Sequence, residues 1–354
     1  MTSRMTSRLI SAVEPRRYPA EVMGTPAERR TAVSVVMPVL NEERHLAEAV
    51  GRVLDQDFDG DLELVLALGP STDATDEVAA RLAAADPRIR LVRNDSGRTP
   101  NGLNAAVAAS THPVVARVDG HAVLPPDYLR TAVDVLEQTG ADNVGGIMDA
   151  QGVTDLERAI AAAMRSRLGV GSARFHTGGA AGPAETVYLG VFRRSALARV
   201  GGYDEHFARA QDWEMNHRLR STGGTVWFTP ALRVTYRPRS DFQALARQYF
   251  QYGRWRRAVA RRHAGTMSLR YLAPPALVTV LAASLVVSTR RPVALVVPAG
   301  YVAALVAGSL TLEPGLPARA RVQLPAVLAV MHVSWGVGFL TSRAGPEAGA
   351  APTR

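Results

Sequence analysis

The 354-residue sequence predicts an α/β domain built on a mostly parallel, helix-covered sheet, followed by a C-terminal transmembrane helical region. Two patterns predict it. From Val33, short β-branched runs at 33–39, 62–68, 89–92 and 114–118 alternate with helical stretches at 43–54, 75–85 and 101–109. Nearly continuous apolar strands separated by helices mark a sheet covered on both faces, whose ligands bind at the carboxyl ends of the strands. Beyond residue 270, uncharged apolar runs at 271–289, 292–312 and 322–342 contain 19, 21 and 21 residues. Each reaches the ~20 residues a helix needs to cross a bilayer. A buried core helix is the competing reading for one such run; three in succession, with arginines only at their edges, favour the membrane.

The chain divides further. Residues 1–30 carry six arginines and no apolar run, which excludes a secretory signal and predicts a disordered basic tail. Residues 31–240 form the α/β domain, whose second part holds a helix at 155–167, a glycine-rich loop around Gly178–Gly182, a strand near 187–192 and a helix at 212–221. Residues 241–270 read as an interfacial amphipathic helix, with Phe242, Leu245, Ala246, Tyr249 and Phe250 on one face and arginines toward its end. Residues 271–342 supply three transmembrane helices, and 343–354 a disordered tail.

Composition excludes several chemistries. With no cysteine there is no disulfide, thiolate metal site or cysteine nucleophile. With no lysine, all 41 basic residues are arginine, and neither a phosphate-loop lysine nor a Schiff base can form. The net charge of +9 is concentrated in residues 241–354, which carry +10 against −1 for the rest. Because the basic part is also the apolar part, the charge reads as membrane-flanking arginine, and no nucleic-acid recognition motif accompanies it. Arg254, Arg256, Arg257, Arg261, Arg262 and Arg270, before the first apolar run, place the α/β domain in the cytoplasm by the positive-inside rule. Arg319 and Arg321 agree with that orientation; Arg290 and Arg291 do not.

Four places carry candidate chemistry. The first strand leaves through Met37-Pro38-Val39-Leu40-Asn41-Glu42 into a helix capped by Asn41, a strand end that either holds a nucleotide or simply caps the helix. Val118-Asp119-Gly120-His121 puts an acid at a later strand end, suited to a diphosphate-bound Mg²⁺ or Mn²⁺ or to capping a turn. Gln211-Asp212-Trp213-Glu214 opens a helix. Asp212 there is either a general base or an N-terminal cap, while Glu214 and Arg218 have the spacing of an ordinary helical ion pair. Gln251-Tyr252-Gly253-Arg254-Trp255 offers an arginine for a diphosphate and a ring platform, or plain interfacial anchors.

In this order, these motifs resemble the family-2 glycosyltransferases over residues 33–257, joined by Ser71-Thr72-Asp73-Ala74-Thr75. The succinoglycan-biosynthesis type of glucosyltransferase is similar also through Arg98-Thr99-Pro100-x-Gly102-Leu103-Asn104, Thr177-Gly178-Gly179 to Gly182-Pro183, and 187–194. The resemblance implies a GT-A fold, a UDP-sugar donor, a divalent metal and inversion by direct displacement. Carried over by motif, Asp119 holds the metal-diphosphate with His121, and Asp212 is the base. Pro38, Leu40, Asn41, Glu42, Ser71, Asp73, Arg98 and Asn104 bind the nucleotide-sugar, and Gln251, Arg254 and Trp255 bind near the diphosphate or acceptor. The sequence departs from the family where Ala67-Leu68-Gly69-Pro70 lacks the usual acid, where His121 replaces a second metal-site Asp, and where Gln211 replaces a Glu.

The expected function is transfer of a hexose from a nucleotide-sugar to a lipid-linked or glycan acceptor, in envelope or exopolysaccharide synthesis at the inner cell membrane. A processive polysaccharide synthase is the second reading, with three spans leaving little material for a pore. A non-catalytic membrane scaffold is the third, opposed by the retention of Asp119 and Asp212. No Gly-x-Gly-x-x-Gly follows the first strand and no Gly-x-Ser-x-Gly occurs, which argues against a dehydrogenase and a serine hydrolase.

Overall fold

The computed structural model describes residues 31–342; the tails expected at 1–30 and 343–354 lie outside the described residues. The chain runs β1 (Val33–Val39), α1 (Leu46–Leu54), β2 (Leu62–Leu68), α2 (Thr75–Ala85), β3 (Ile89–Arg93), α3 (Thr99–Ala109), β4 (Val114–Arg117), α4 (Tyr128–Thr139) and β5 (Asn143–Ala150). It continues through α5 (Asp155–Met164), α6 (Arg167–Val170), α7 (Arg174–Thr177), β6 (Gly182–Pro183), β7 (Tyr188–Arg193), α8 (Arg194–Val200), α9 (Gln211–Ser221) and β8 (Val226–Tyr236). The C-terminal helices are α10 (Phe242–Arg262), α11 (Leu269–Ser288), α12 (Val296–Thr311) and α13 (Ala318–Thr341).

All eight strands join one sheet in the order β3-β2-β1-β4-β7-β5-β8-β6. The strands β1 to β4 are parallel, as are β5 and β8, while β7 runs antiparallel between β4 and β5 and β6 is a short antiparallel edge. The side-chain alternation of β1 shows how the layers form. Val33, Val35, Met37 and Val39 face a core shared with α1, α2 and α4, whereas Val36 faces one shared with α3, α8 and α9. The carboxyl ends of β1 and β4 therefore open at the same edge, between helices on both faces.

Among the described residues, three helices are long and apolar enough to cross a membrane: Leu269–Ser288, Pro292–Thr311 and Ala318–Thr341. The second begins with a 3₁₀ turn at Pro292–Leu295 before α12 proper. The outer faces of the first two carry exposed apolar side chains such as Val286 and Val293. By contrast α13 is one-third buried, because α5 and α10 dock along it around Leu245, Ile160, Leu324, Leu328 and Met331. The loop before α13 lies on the α/β side, where Glu313 pairs with Arg165 at 2.7 Å and Arg321 donates to the carbonyls of Ser309 and Leu312.

The face expected of the amphipathic helix is only partly the buried one. On α10, Leu245 and Tyr249 are buried together with Gln248, Gly253, Trp255 and Arg256, whereas Phe242 is exposed. Its crossing with α13 brings backbones into contact: a Cβ on Gly253 would overlap the Trp335 carbonyl oxygen, and one on Gly338 that of Phe250. Arg257 then donates to the carbonyls of Phe339 and Leu340 at 2.8 and 2.7 Å. Replacing Gly338 by Val should lower the unfolding temperature in detergent, with at least the ~1–3 kcal/mol cost of overpacking. An unchanged melting temperature would contradict this crossing.

Candidate active site

The loop leaving β1 is fixed by the loop leaving β2. Asn41 adopts φ 53°, a left-handed conformation that asparagine tolerates. Its N–H donates to Ser71 Oγ at 3.0 Å, its Oδ1 accepts from the Thr72 N–H at 2.7 Å, and the Glu42 N–H donates to Thr75 Oγ1 at 2.7 Å. Asp73 accepts from the Thr75 N–H and hydroxyl at 3.1 and 2.5 Å. This corrects the capping role expected of Asn41: α1 begins five residues later, at Leu46, with His45 at its N-cap, because the side chain of Asn41 is committed to the neighbouring loop.

At the end of β4, Arg117 is only 4 % exposed, and its guanidinium joins two carboxylates. Its Nε and Nη2 donate to Asp119 Oδ1 at 3.1 and 3.0 Å, and its Nη1 pairs with Asp212 Oδ1. Burial opposes the charge of Arg117, but Asp119 and Asp212 outweigh it and hold its pKa well above the usual value. Burial, with the charge of Asp119, raises the pKa of Asp212 against the opposing pull of Arg117. Asp212 sits in the first turn of α9 behind Ala210, itself at φ 60°. That helix is anchored by Glu214, 1 % exposed, which accepts from Nε and Nη2 of Arg218, each at 2.7 Å, and pairs with His263 of the segment after α10 at 3.1 Å. The Glu214–Arg218 pair is thus the ordinary helical one, extended to the segment that follows α10.

Beside Asp119, His121 Nδ1 lies 3.0 Å from Glu42 Oε1, and this bond raises the histidine pKa. Asp119 and His121 offer an oxygen and an imidazole donor, a set that suits an Mg²⁺ or Mn²⁺ ion drawing further ligands from phosphate and water. Among the described residues no group of three or more His, Asp or Glu is arranged to hold a metal ion by itself.

These groups line one cavity of about 1380 Å³. Pro38, Leu40, Asn41, Glu42 and Arg98 form one end, with Arg117, Asp119, His121, Tyr188 and Asp212 in the middle. Gln251, Arg254 and Trp255 of α10 border it, and Pro274, Leu277, Tyr301, Leu305, Met331 and Trp335 of the apolar helices form the other end. Trp255 is mostly a core residue, 7 % exposed and packed with Phe207 and Val259, so little of its ring is available as a platform.

Three expected binding residues stand behind the cavity wall. Ser71 and Asp73 hold the loop of Asn41, and Asn104 holds the segment after α8, donating to the Tyr203 carbonyl at 2.9 Å and accepting its N–H at 2.8 Å. Sequence reasoning missed Arg117. The signal was present: a charged residue inside the apolar run 114–118 needs a partner when buried.

Comparison with known proteins bears on this geometry. Residues 34–201 match the family model for glycosyl transferase family 2. The chain is 33% identical over 312 residues to the succinoglycan biosynthesis protein ExoA of Rhizobium meliloti, spanning 87% of this chain and 94% of that protein. In fold it is similar to the mannosyltransferase PcManGT of Pyrobaculum calidifontis in complex with GDP-Man and Mn²⁺, with TM-score 0.57, 21% identity, and coverage of 92% of this chain and 91% of that one. It is similar also to S. aureus TarS 1-349 in complex with UDP-GlcNAc, with TM-score 0.50, 16% identity, and coverage of 87% and 90%. At these identities the structural likeness is one of fold.

Replacing Arg117 by Met removes the cation shared by Asp119 and Asp212. Because breaking a buried pair leaves uncompensated charge, stability at neutral pH should fall by about 3 kcal/mol, less whatever solvent reaches the two carboxylates. The loss should shrink in acid as the carboxylates protonate. A thermal unfolding series over pH checks this, and equal stability of the variant at pH 7 would contradict the bridge.

Proposed function

This chain belongs to glycosyl transferase family 2, in the succinoglycan-biosynthesis subgroup, and on that premise we propose that it is an inverting, metal-dependent hexosyltransferase using UDP-hexose and a lipid-linked glycan acceptor. Its domain has the GT-A architecture. The observation that carries the finer reading is the cavity, a single space from the strand ends, past two carboxylates, to helices apolar enough to cross a membrane. A soluble acceptor would need no such opening.

In this reading Pro38, Leu40, Asn41, Glu42 and Arg98 hold the donor, while Ser71, Asp73 and Asn104 act at one remove by fixing the loops that carry the site. Asp212 takes the proton from the acceptor hydroxyl as its oxygen attacks the anomeric carbon. The bond from that carbon to the diphosphate oxygen breaks on the opposite side, and its electron pair leaves with UDP. One displacement of this kind inverts the configuration. A partly buried carboxylate with a raised pKa is a stronger base near neutral pH, while Arg117 keeps it ionised and aimed. A divalent ion at Asp119 and His121 would offset charge growing on the diphosphate, the role of Arg254 from the other side.

The same reading places the protein in the cell membrane with its α/β domain in the cytoplasm. The arginines before α11 support that orientation.

Asp212→Asn should leave donor binding in place while lowering transfer by the ~10²–10⁴-fold attributed to a general base. Calorimetry with UDP and single-turnover transfer assays separate the two effects, and normal transfer by this variant would remove Asp212 from the mechanism. Asp119→Ala should weaken donor binding in the presence of Mn²⁺ and leave the metal-free affinity nearly unchanged. Equal loss under both conditions would show that Asp119 does not act through a metal.

A further inference from the structure

Two arginines are deeply buried along the cavity, and they differ in one respect. Arg117 has two carboxylate partners. Arg256, on α10 and 6 % exposed, has none among the described residues. Its guanidinium lies between two rings, 3.9 Å from the centre of Trp213 and 4.0 Å from that of Tyr271. Its Nη2 donates to the carbonyl of Thr266, while Nε and Nη1 have no hydrogen-bond partner among the described residues. The indole Nε1 of Trp213, one residue beyond Asp212, has none either. Burial, and to a smaller extent the charge of Arg270, lowers the pKa of Arg256. Arg270 is itself paired with Glu185 at 2.5 Å.

A buried cation with unmet donors is costly unless an anion completes it, and stacking on ring faces does not satisfy N–H groups. The guanidinium fork matches the oxygens of a phosphate. What surrounds it specifies the kind of phosphate. Arg256, Trp213 and Tyr271 all line the cavity, and beyond Tyr271 its walls are Pro274, Leu277, Leu305 and Trp335, contributed by the three apolar helices. A free anion needs no such apolar exit, whereas a phosphate carried on a long hydrocarbon does.

We propose that Arg256, held between Trp213 and Tyr271, binds the phosphate group of the acceptor's lipid carrier, a polyprenyl phosphate or diphosphate whose chain leaves along α11, α12 and α13. This rests on the reading of the acceptor as lipid-linked and locates its anchor. The active site then has two anion positions, the donor diphosphate beside Asp119 and the carrier phosphate at Arg256, on the membrane side of Asp212. The arginine is a binding residue for the acceptor and takes no part in proton transfer.

The test is direct binding of radiolabelled undecaprenyl diphosphate to the protein in phosphatidylcholine nanodiscs, with saturating UDP present to fill the donor end. Wild type should bind saturably, and inorganic diphosphate should compete only weakly. Arg256→Gln should weaken binding ~10-fold or more, as expected for lost hydrogen bonds to a charged group. Leu277→Trp, which narrows the apolar exit without touching Arg256, should weaken undecaprenyl diphosphate but not short-chain geranyl diphosphate. Near-ultraviolet circular dichroism checks the fold of both variants, and the second carries the test if the first unfolds. Unchanged affinity in the folded variants, displacement of the lipid by UDP, or inorganic diphosphate binding as tightly as the lipid would overturn the proposal. Because no sugar turns over in this measurement, lipid binding without transfer in a separate assay would sink the transferase reading and leave this site standing.

Discussion

The ionic bridge from Arg117 to Asp119 and Asp212 is the interaction on which the site depends. It joins the end of a central strand to the first turn of α9, two elements distant in sequence, through a side chain buried in the sheet edge. Two carboxylates this near each other repel, and each would drift toward protonation without a shared cation. In the function we propose, it leaves one free to face a metal-bound diphosphate and the other an attacking hydroxyl. The surrounding structure maintains that division. Glu214, paired with Arg218 within α9, pins that helix to His263, and the reciprocal bonds of Asn41, Ser71 and Thr72 hold the opposite lip.

The second constraint is the union of the α/β domain with the apolar helices. Gly253 and Gly338 let α10 and α13 meet backbone to backbone, so the helix bordering the active site is held by one of the membrane-type helices. That contact brings the apolar helices against the site, so on this side they wall the cavity. Where two rigid layers cross, the space between α10, α11 and α12 stays open and continues from polar to apolar lining. The contrast between Arg117 and Arg256 follows the same gradient, from an arginine completed by the protein to one left to be completed by a ligand.

Much of this architecture was legible from the chain. Periodicity located β1, β2 and α2 to the residue, because these segments are buried in a regular pattern on known faces. Helix α4 and strands β5 and β8 escaped notice. β5 is interrupted by Gly145 and Gly146 at a bulge, and β8 contains Pro230, both of which break the strand signal. The site was legible as a list of residues but not as an arrangement. Motif order brought Asp119 and Asp212 to attention, yet only three-dimensional contact shows that Arg117 joins them, that Ser71, Asp73 and Asn104 support the wall rather than form it, and that Trp255 faces the core. Local sequence encodes which groups are buried; which partner meets a buried charge is a long-range property of the sheet order.

The central claim is that this cavity joins a nucleotide-sugar to an acceptor at a membrane. Its most direct test is release of nucleoside diphosphate by the purified protein in lipid nanodiscs, with a panel of UDP- and GDP-sugars, a polyprenyl-linked glycan extract, and Mg²⁺ or Mn²⁺ compared with EDTA. The account predicts release from one donor, dependent on both metal and lipid-linked acceptor, with the new glycosidic bond inverted relative to the donor. Absence of release from every donor by a folded protein, or release that ignores the acceptor, would contradict it.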